Sequence, residues 1–234
     1  MTRPPSPLEG TGQEPAPSQP TAAPADVELP PGQHLPRGWP VLHYGRVPDF
    51  RPETWDLTVV GATADGRQHR WDWPQVAALP RVERVWDLHC VTGFSVLDRA
   101  WAGIAVPTLL SLAPPHPSVR HVLVWAEHGY SANLPLADLV QGLLAVSHGG
   151  APLTPERGGP LRLVVPHRYA YKGPKWVRSL EYLLEDRRGF WESRGYHNRA
   201  DPWQEQRWSH QEETGDGPPL PGADPQLRRG PRQR

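Results

Sequence analysis

The sequence predicts an α+β fold of mixed β-sheets with short helices. Three observations lead there. Short runs of alternating or β-branched apolar residues recur through the middle of the chain. The helix-compatible stretches are only about two turns long. The two kinds of segment do not follow the strict rhythm of βαβ units. The pattern is also bounded. Residues 1–35 are Pro, Ser, Ala, Thr and Glu with almost no large apolar side chain, so burial cannot offset their ordering entropy, and they read as a disordered leader. Residues 210–234, rich in Gly, Pro and charge, read as a disordered tail, with Arg228, Arg229, Arg232 and Arg234 as a weak basic end. Residues 36–209 are the expected folded domain.

Taken in order, Trp55–Val60 (WDLTVV) is a strand, and the Asp65-Gly66 turn before Gln68–Trp71 makes a hairpin. Pro74–Leu79 is a short helix with proline near its first turn. Arg84–Leu88 alternates apolar and polar side chains as a strand does, and the Thr92-Gly93 pair closes it. Ala105–Leu112 is helical, with Pro107 in the first turn. His121–Trp125 (HVLVW) is a buried strand. Gly129–Leu136 passes through a turn and an extended piece into a helix from Ala137. Leu143–Ser147, Leu161–Val165 and Trp176–Leu183 supply further strands.

Composition narrows the function classes. The chain has 234 residues, with 25 basic and 25 acidic side chains, so no overall field favours DNA or an anionic membrane. No apolar run approaches the ~20 residues that span a bilayer, and the N-terminus carries neither a basic-plus-apolar signal nor a twin-arginine pair. A cytoplasmic protein without membrane insertion is expected, a setting in which a single reduced thiol is normal.

That thiol is Cys90, the only cysteine, placed at a strand-to-loop junction where scaffolds present chemistry. A lone thiol forms no internal disulfide. It is either a small buried hydrophobe or a nucleophile and soft metal ligand. The second conspicuous stretch runs from Arg157 to Leu180. It holds Arg157, Arg162, Arg168, Lys172, Lys175, Arg178 and His167 without one carboxylate. It is either a solvated basic face or the seat of an anion. Arg162 interrupts an apolar strand, where an unpaired charge is costly, and Gly158, Gly159 and Gly173 allow close backbone approach to a ligand. Zinc needs more ligands than one cysteine, and no tight His pair supplies them. A metal held through Cys90 must therefore bring its other donors with it. A cofactor with its own sulfur donors and a phosphate satisfies both stretches.

Five blocks carry a resemblance: Asp87–Ser95 (DLHCVTGFS), Gly129–Leu136 (GYSANLPL), Gly158–His167 (GGPLRLVVPH), Tyr169–Val177 (YAYKGPKWV) and Gly189–His197 (GFWESRGYH). In this order they resemble the sulfite oxidase-like molybdopterin oxidoreductases, especially small single-domain members related to the molybdenum subunit of bacterial methionine sulfoxide reductase. The resemblance implies the sulfite oxidase molybdopterin-binding domain fold and a molybdenum-molybdopterin cofactor. It implies that Cys90 is the thiolate ligand of molybdenum, and that Arg162 and Lys175 hold the pterin and its phosphate. His43 and Tyr44, in the segment Pro40–Gly45 (PVLHYG), correspond to a stretch that touches the cofactor. Arg157, His167, Arg168, Lys172 and Gly173 are further candidate cofactor contacts, and His89 and Tyr130 join Cys90 as candidate catalytic residues. The implied activity is two-electron oxygen-atom transfer on a small-molecule substrate, with electrons exchanged with an external carrier.

The chain departs from the family in places. The position five residues after the cysteine, an arginine in sulfite oxidases proper, is Ser95, which disfavours sulfite as substrate. Phe94 stands where close relatives often have tryptophan, Ala126 stands near a threonine of the methionine sulfoxide reductases, Arg157 replaces an asparagine of theirs, and Pro174 has no N–H to offer. Two other classes stay open on residues alone. One is a hydrolase with Cys90 as nucleophile; the other is a single-stranded nucleic-acid binder using the 157–178 segment, where Tyr169, Tyr171 and Trp176 interleave with cations.

Overall fold

A computed structural model describes residues 27–221. The first strand, β1 (Asp56–Gly61), pairs antiparallel with β2 (His69–Asp72) through the predicted Asp65-Gly66 turn. Asp72 then caps α1 (Trp73–Ala77), its carboxylate accepting from the Gln75 amide while Gln75 returns a bond to the Asp72 amide. Next come β3 (Val82–His89), β4 (Ser95–Ala105), α2 (Val106–Leu112), β5 (His121–Ala126) and β6 (Ser131–Pro135). The chain continues through α3 (Leu136–Leu139), β7 (Leu143–His148), β8 (Ala151–Pro152), β9 (Arg162–Val164) and β10 (Val177–Leu183).

These strands form two sheets. One has the order β2-β1-β10-β5-β6 and is mixed, since β1 and β10 run parallel. The other, β3-β4-β7-β8 with β9 also on β7, is antiparallel throughout. Mixed sheets with few short helices are the architecture that the sequence predicts.

Side-chain alternation decides what each face covers. On β7, Leu144 and Val146 join Leu57, Val59, Val124 and Leu180 in the main core between the sheets. The alternate residues Leu143 and Ala145 point the other way, into a second cluster with Leu88, Phe94, Val96, Trp101 and Val164. Cys90 and Trp39 pack against this second cluster. On β9, Leu163 faces the main core and Val164 the second cluster, so Arg162, two residues from Val164, lies on the same side as Cys90.

Strand β4 has no counterpart in the elements predicted from sequence. Asp98, Ala100, Ala102 and Gly103 give it weak strand propensity, and pairing on both sides with β3 and β7 overrides this. Gly103 is required there, because an added Cβ would meet the Leu144 carbonyl oxygen at 2.2 Å.

Residues 27–35 and 210–221 take defined positions, while 1–26 of the expected leader and 222–234 of the expected tail, including its arginines, lie outside the described residues. The physical reason is that these ends are fixed by polar contacts rather than by apolar burial. Gln33 and His34 bond the Cys90 turn, and Arg188 forms a buried two-pronged pair with Glu212.

A candidate active site between the two sheets

Three connections meet at a cleft of about 220 Å³: the β3–β4 turn, the β5–β6 turn and the loop between β9 and β10. The β3–β4 turn brings Cys90. Its N–H donates to the Phe94 carbonyl at 2.8 Å, the Gly93 N–H donates to the Cys90 carbonyl at 3.0 Å, and Gly93 takes φ +106°, which favours glycine. Cys90 Sγ is half-buried and lies 3.1 Å from Thr92 Oγ1. Once the sulfur is a thiolate, the threonine hydroxyl is the donor.

Opposite the sulfur stand three cations. Arg162 is 4% exposed and donates through Nη1 to the Arg157 carbonyl at 3.1 Å, while its buried Nε has no partner. Burial, then the Arg157 charge, push its pKa down to about 10. Arg157 donates to the Trp39 and Pro40 carbonyls at 2.7 and 3.3 Å, and its guanidinium stacks 3.9 Å from the Trp39 ring centre. Lys175 Nζ donates to the Glu156 carbonyl at 2.6 Å, and burial followed by the Arg162 and Arg157 charges hold its pKa at about 7. Among the described residues, no carboxylate lies within 4.0 Å of any of the three. A buried guanidinium with an orphaned N–H and no counter-ion calls for an anion.

The rest of the basic run is spent elsewhere. Arg168 pairs with Asp138 at 2.8 Å and lies 3.6 Å from Asp201. His167 sits 3.3 Å from the same Asp138. Burial raises the Asp138 carboxyl, but bonds from His167 and Arg168 outweigh it and hold the pKa at about 2. Lys172 is fully buried, its ammonium donating to Glu192 at 2.6 Å, Asn198 O at 2.7 Å and Asn133 at 2.9 Å. Arg178 pairs with Glu127 at 2.7 Å and with Asp56. Of the expected cofactor contacts, His167, Arg168 and Lys172 are therefore absent from the cleft lining. The carboxylates that neutralise them come from distant sequence, so the run is not one continuous positive face.

His43, Tyr44 and Gly173 do line the cleft. His43 donates from Nδ1 to the Gly45 carbonyl at 2.9 Å and meets Trp176 edge-on. A Cβ on Gly173 would approach the Leu163 carbonyl to 2.5 Å, so glycine there serves packing. The other two expected catalytic residues make contacts within the protein. His89 is buried outside the lining, its Nδ1 2.8 Å from Ser95 Oγ, and burial lowers its pKa. Tyr130 lines the cleft with its ring, but its hydroxyl donates to the Tyr171 carbonyl at 2.6 Å and burial raises its pKa strongly. Ser95 is itself fully buried. Sequence reasoning missed Trp39, Thr92, Trp191 and Tyr196 as wall residues. Trp191 and Tyr196 were within reach, since both lie in the conspicuous Gly189–His197 block.

A lone thiol facing an unneutralised cation group, on two sheets in this arrangement, belongs to a known class. A family model described as an oxidoreductase molybdopterin-binding domain matches residues 44–191, and the chain belongs to this family. It is a molybdopterin-dependent oxidoreductase, and its cofactor is the molybdenum cofactor. Among individual relatives, it is 42% identical over 184 residues to the uncharacterized oxidoreductase YuiH of Bacillus subtilis, covering 77% of this chain and 92% of that one. It is 31% identical over 120 residues to MsrP of Gluconobacter oxydans, a protein-methionine-sulfoxide reductase catalytic subunit, covering 43% of this chain and 38% of MsrP. The sulfane dehydrogenase SoxCD of Paracoccus pantotrophus shares the fold, with TM-score 0.58 at 17% identity over 69% of this chain and 47% of that one. The site fits the cofactor: a soft thiolate donor stands on one side, and the orphaned Arg162 Nε with its companion cations supplies a seat for phosphate on the other.

Proposed function

We propose that this chain carries out two-electron oxygen-atom transfer on a small neutral substrate and exchanges single electrons with a separate carrier. The observation that supports it most is that Cys90 and the unpaired guanidinium of Arg162 line one cleft. The bound cofactor supplies the metal at which oxygen and electrons are exchanged. The chain supplies the rest. Cys90 ligates the metal, and the Thr92 hydroxyl donates to its sulfur, a contact of the kind that tunes metal sites. Arg157, Arg162 and Lys175 hold the phosphate by charge-assisted hydrogen bonds. Leu42, Tyr44, Trp191 and Tyr196 line the cleft with apolar and aromatic side chains. Among the described residues the Lys and Arg side chains lining the cleft are Arg157, Arg162 and Lys175, and Ser95 is buried, so with these three on the cofactor no further one is left there for an oxyanion such as sulfite.

In the reductive direction, an oxide takes two electrons and two protons and leaves as the reduced substrate plus water; oxidation is the reverse. MsrP is named as a catalytic subunit of a sulfoxide reductase, which supports both the reaction class and a separate electron partner. The test is a redox screen of neutral sulfoxides, N-oxides and sulfite on the molybdenum-loaded protein, beside Cys90→Ser. The expected result is turnover of a neutral oxide, little with sulfite, and loss of turnover with an altered molybdenum spectrum in Cys90→Ser, because serine is a hard, largely protonated donor. Full activity in Cys90→Ser would overturn the assignment.

A further inference from the structure

The turn that carries Cys90 is gripped from outside by two distant parts of the chain. His34 N–H donates to the Gly93 carbonyl and Ser95 N–H to the His34 carbonyl, both at 2.9 Å. Gln33 Nε2 donates to the Cys90 carbonyl at 3.1 Å, and its Oε1 accepts from the Ser95 hydroxyl at 3.3 Å. From the other end of the chain, Arg207 donates through Nη1 to the Val91 carbonyl and through Nη2 to the Pro31 carbonyl at 3.0 Å. The carbonyls of Cys90, Val91 and Gly93 thus each take a donor from outside the turn. An added Cβ on Gly93 would meet the Gly32 carbonyl oxygen at 3.3 Å, so the strap lies directly on the turn.

A four-residue turn containing a glycine can rotate its peptide planes cheaply, and each rotation would carry the Cys90 side chain with it. We propose that Gln33 and Arg207 are positioning residues that lock these planes and so set where the Cys90 sulfur stands in the cleft. This rests on the reading of Cys90 as the metal's ligand. It assigns to a segment with no apolar pattern the supporting role that outer-shell partners play around metal ligands.

The test uses the full chain in cofactor-free and molybdenum-loaded forms. Cys90 is the only cysteine, so one iodoacetamide adduct by mass spectrometry reports on it alone. Without cofactor, Gln33→Leu and Arg207→Leu should alkylate roughly three- to tenfold faster than wild type, the worth of the one hydrogen bond that each gives to a carbonyl of the turn. When loaded, both should shift the sulfur-to-molybdenum absorption. Leu109→Ala, a fully buried core change away from the cleft lining, should lower Tm while leaving both readouts at wild-type values. Wild-type alkylation and absorption in the Gln33 and Arg207 variants, or equal acceleration by Leu109→Ala, would overturn the positioning role. The premise is tested within wild type: alkylation as fast in the loaded as in the cofactor-free protein would remove Cys90 as ligand, whatever the variants do.

Discussion

Arg157, Arg162 and Lys175 differ from the other cations of their segment in having no carboxylate partner among the described residues, and that difference sorts the outcome of single substitutions. Arg162→Gln and Lys175→Gln each remove a charge-assisted bond worth about 1.5–3 kcal/mol, or roughly ten- to a hundredfold in cofactor affinity. Arg168→Gln, whose partner is Asp138, should keep its molybdenum and lose stability instead, by roughly 1.5–3 kcal/mol. Metal analysis beside urea melts separates the two groups. Lys175 adds a pH dependence. Its pKa in the free site is about 7, lowered first by burial and then by Arg162 and Arg157. A bound phosphate favours the ammonium, so above pH 7 the loaded site holds a proton that the free site lacks. Cofactor affinity should therefore fall as pH rises above 7, by at most about tenfold per pH unit. The slope should flatten in Lys175→Gln; an equally steep slope there would place the titration elsewhere.

At the level of elements, the β3–β4 hairpin and the strap over its turn form one unit. The hairpin supplies the cysteine, and Gln33 and His34 supply donors to its turn. A chain lacking residues 1–34 should purify with markedly less molybdenum than one lacking residues 1–26, although both keep the two sheets and a cooperative melt. Equal metal content in the two would show that the strap is dispensable for loading. The same hairpin shows how tertiary pairing overrides local preference. Strand β4 is poor in β-formers over Asp98–Gly103, yet it pairs along both edges and puts Trp101 under the cleft wall beside Trp39.

Across the whole molecule, a buried polar network ties β6 and the β9–β10 loop to the C-terminal segment. Lys172 joins Asn133 at β6 to Glu192 and Asn198, and Glu212 accepts from the Asn198 amide while pairing with Arg188. Burial pushes the Lys172 pKa down and that of Glu192 up, and three oxygens around the ammonium oppose this. Lys172→Met would strand Glu192 at 0% exposure, an uncompensated buried charge that costs about 3–5 kcal/mol. For a domain of this size, Tm should drop by roughly 10 °C. Adding Glu192→Leu should restore much of the loss, since a well-packed apolar pair often replaces a buried ion pair at little cost. Thermal melts of the single and double variants check this, and a double variant no better than the single would place the cost in packing.

The sequence by itself determined the fold class, most strands and the thiol, because alternation of apolar residues and the rarity of cysteine are local facts. It also brought Cys90, Arg162 and Lys175 forward as one site through five ordered blocks. Only the tertiary structure decided which cations are spare. Asp138, Glu192, Asp56 and Glu127 reach Arg168, Lys172 and Arg178 from other parts of the chain, and charge neutralisation is a property of distance in space. His89 illustrates the same limit, since its alliance with Ser95 follows from cross-strand register. The order of residues 27–35 and 210–221 was hidden for a related reason. A segment held by hydrogen bonds from partners such as Gln33, Arg207 and Arg188 needs no apolar pattern of its own, so composition carries no trace of it.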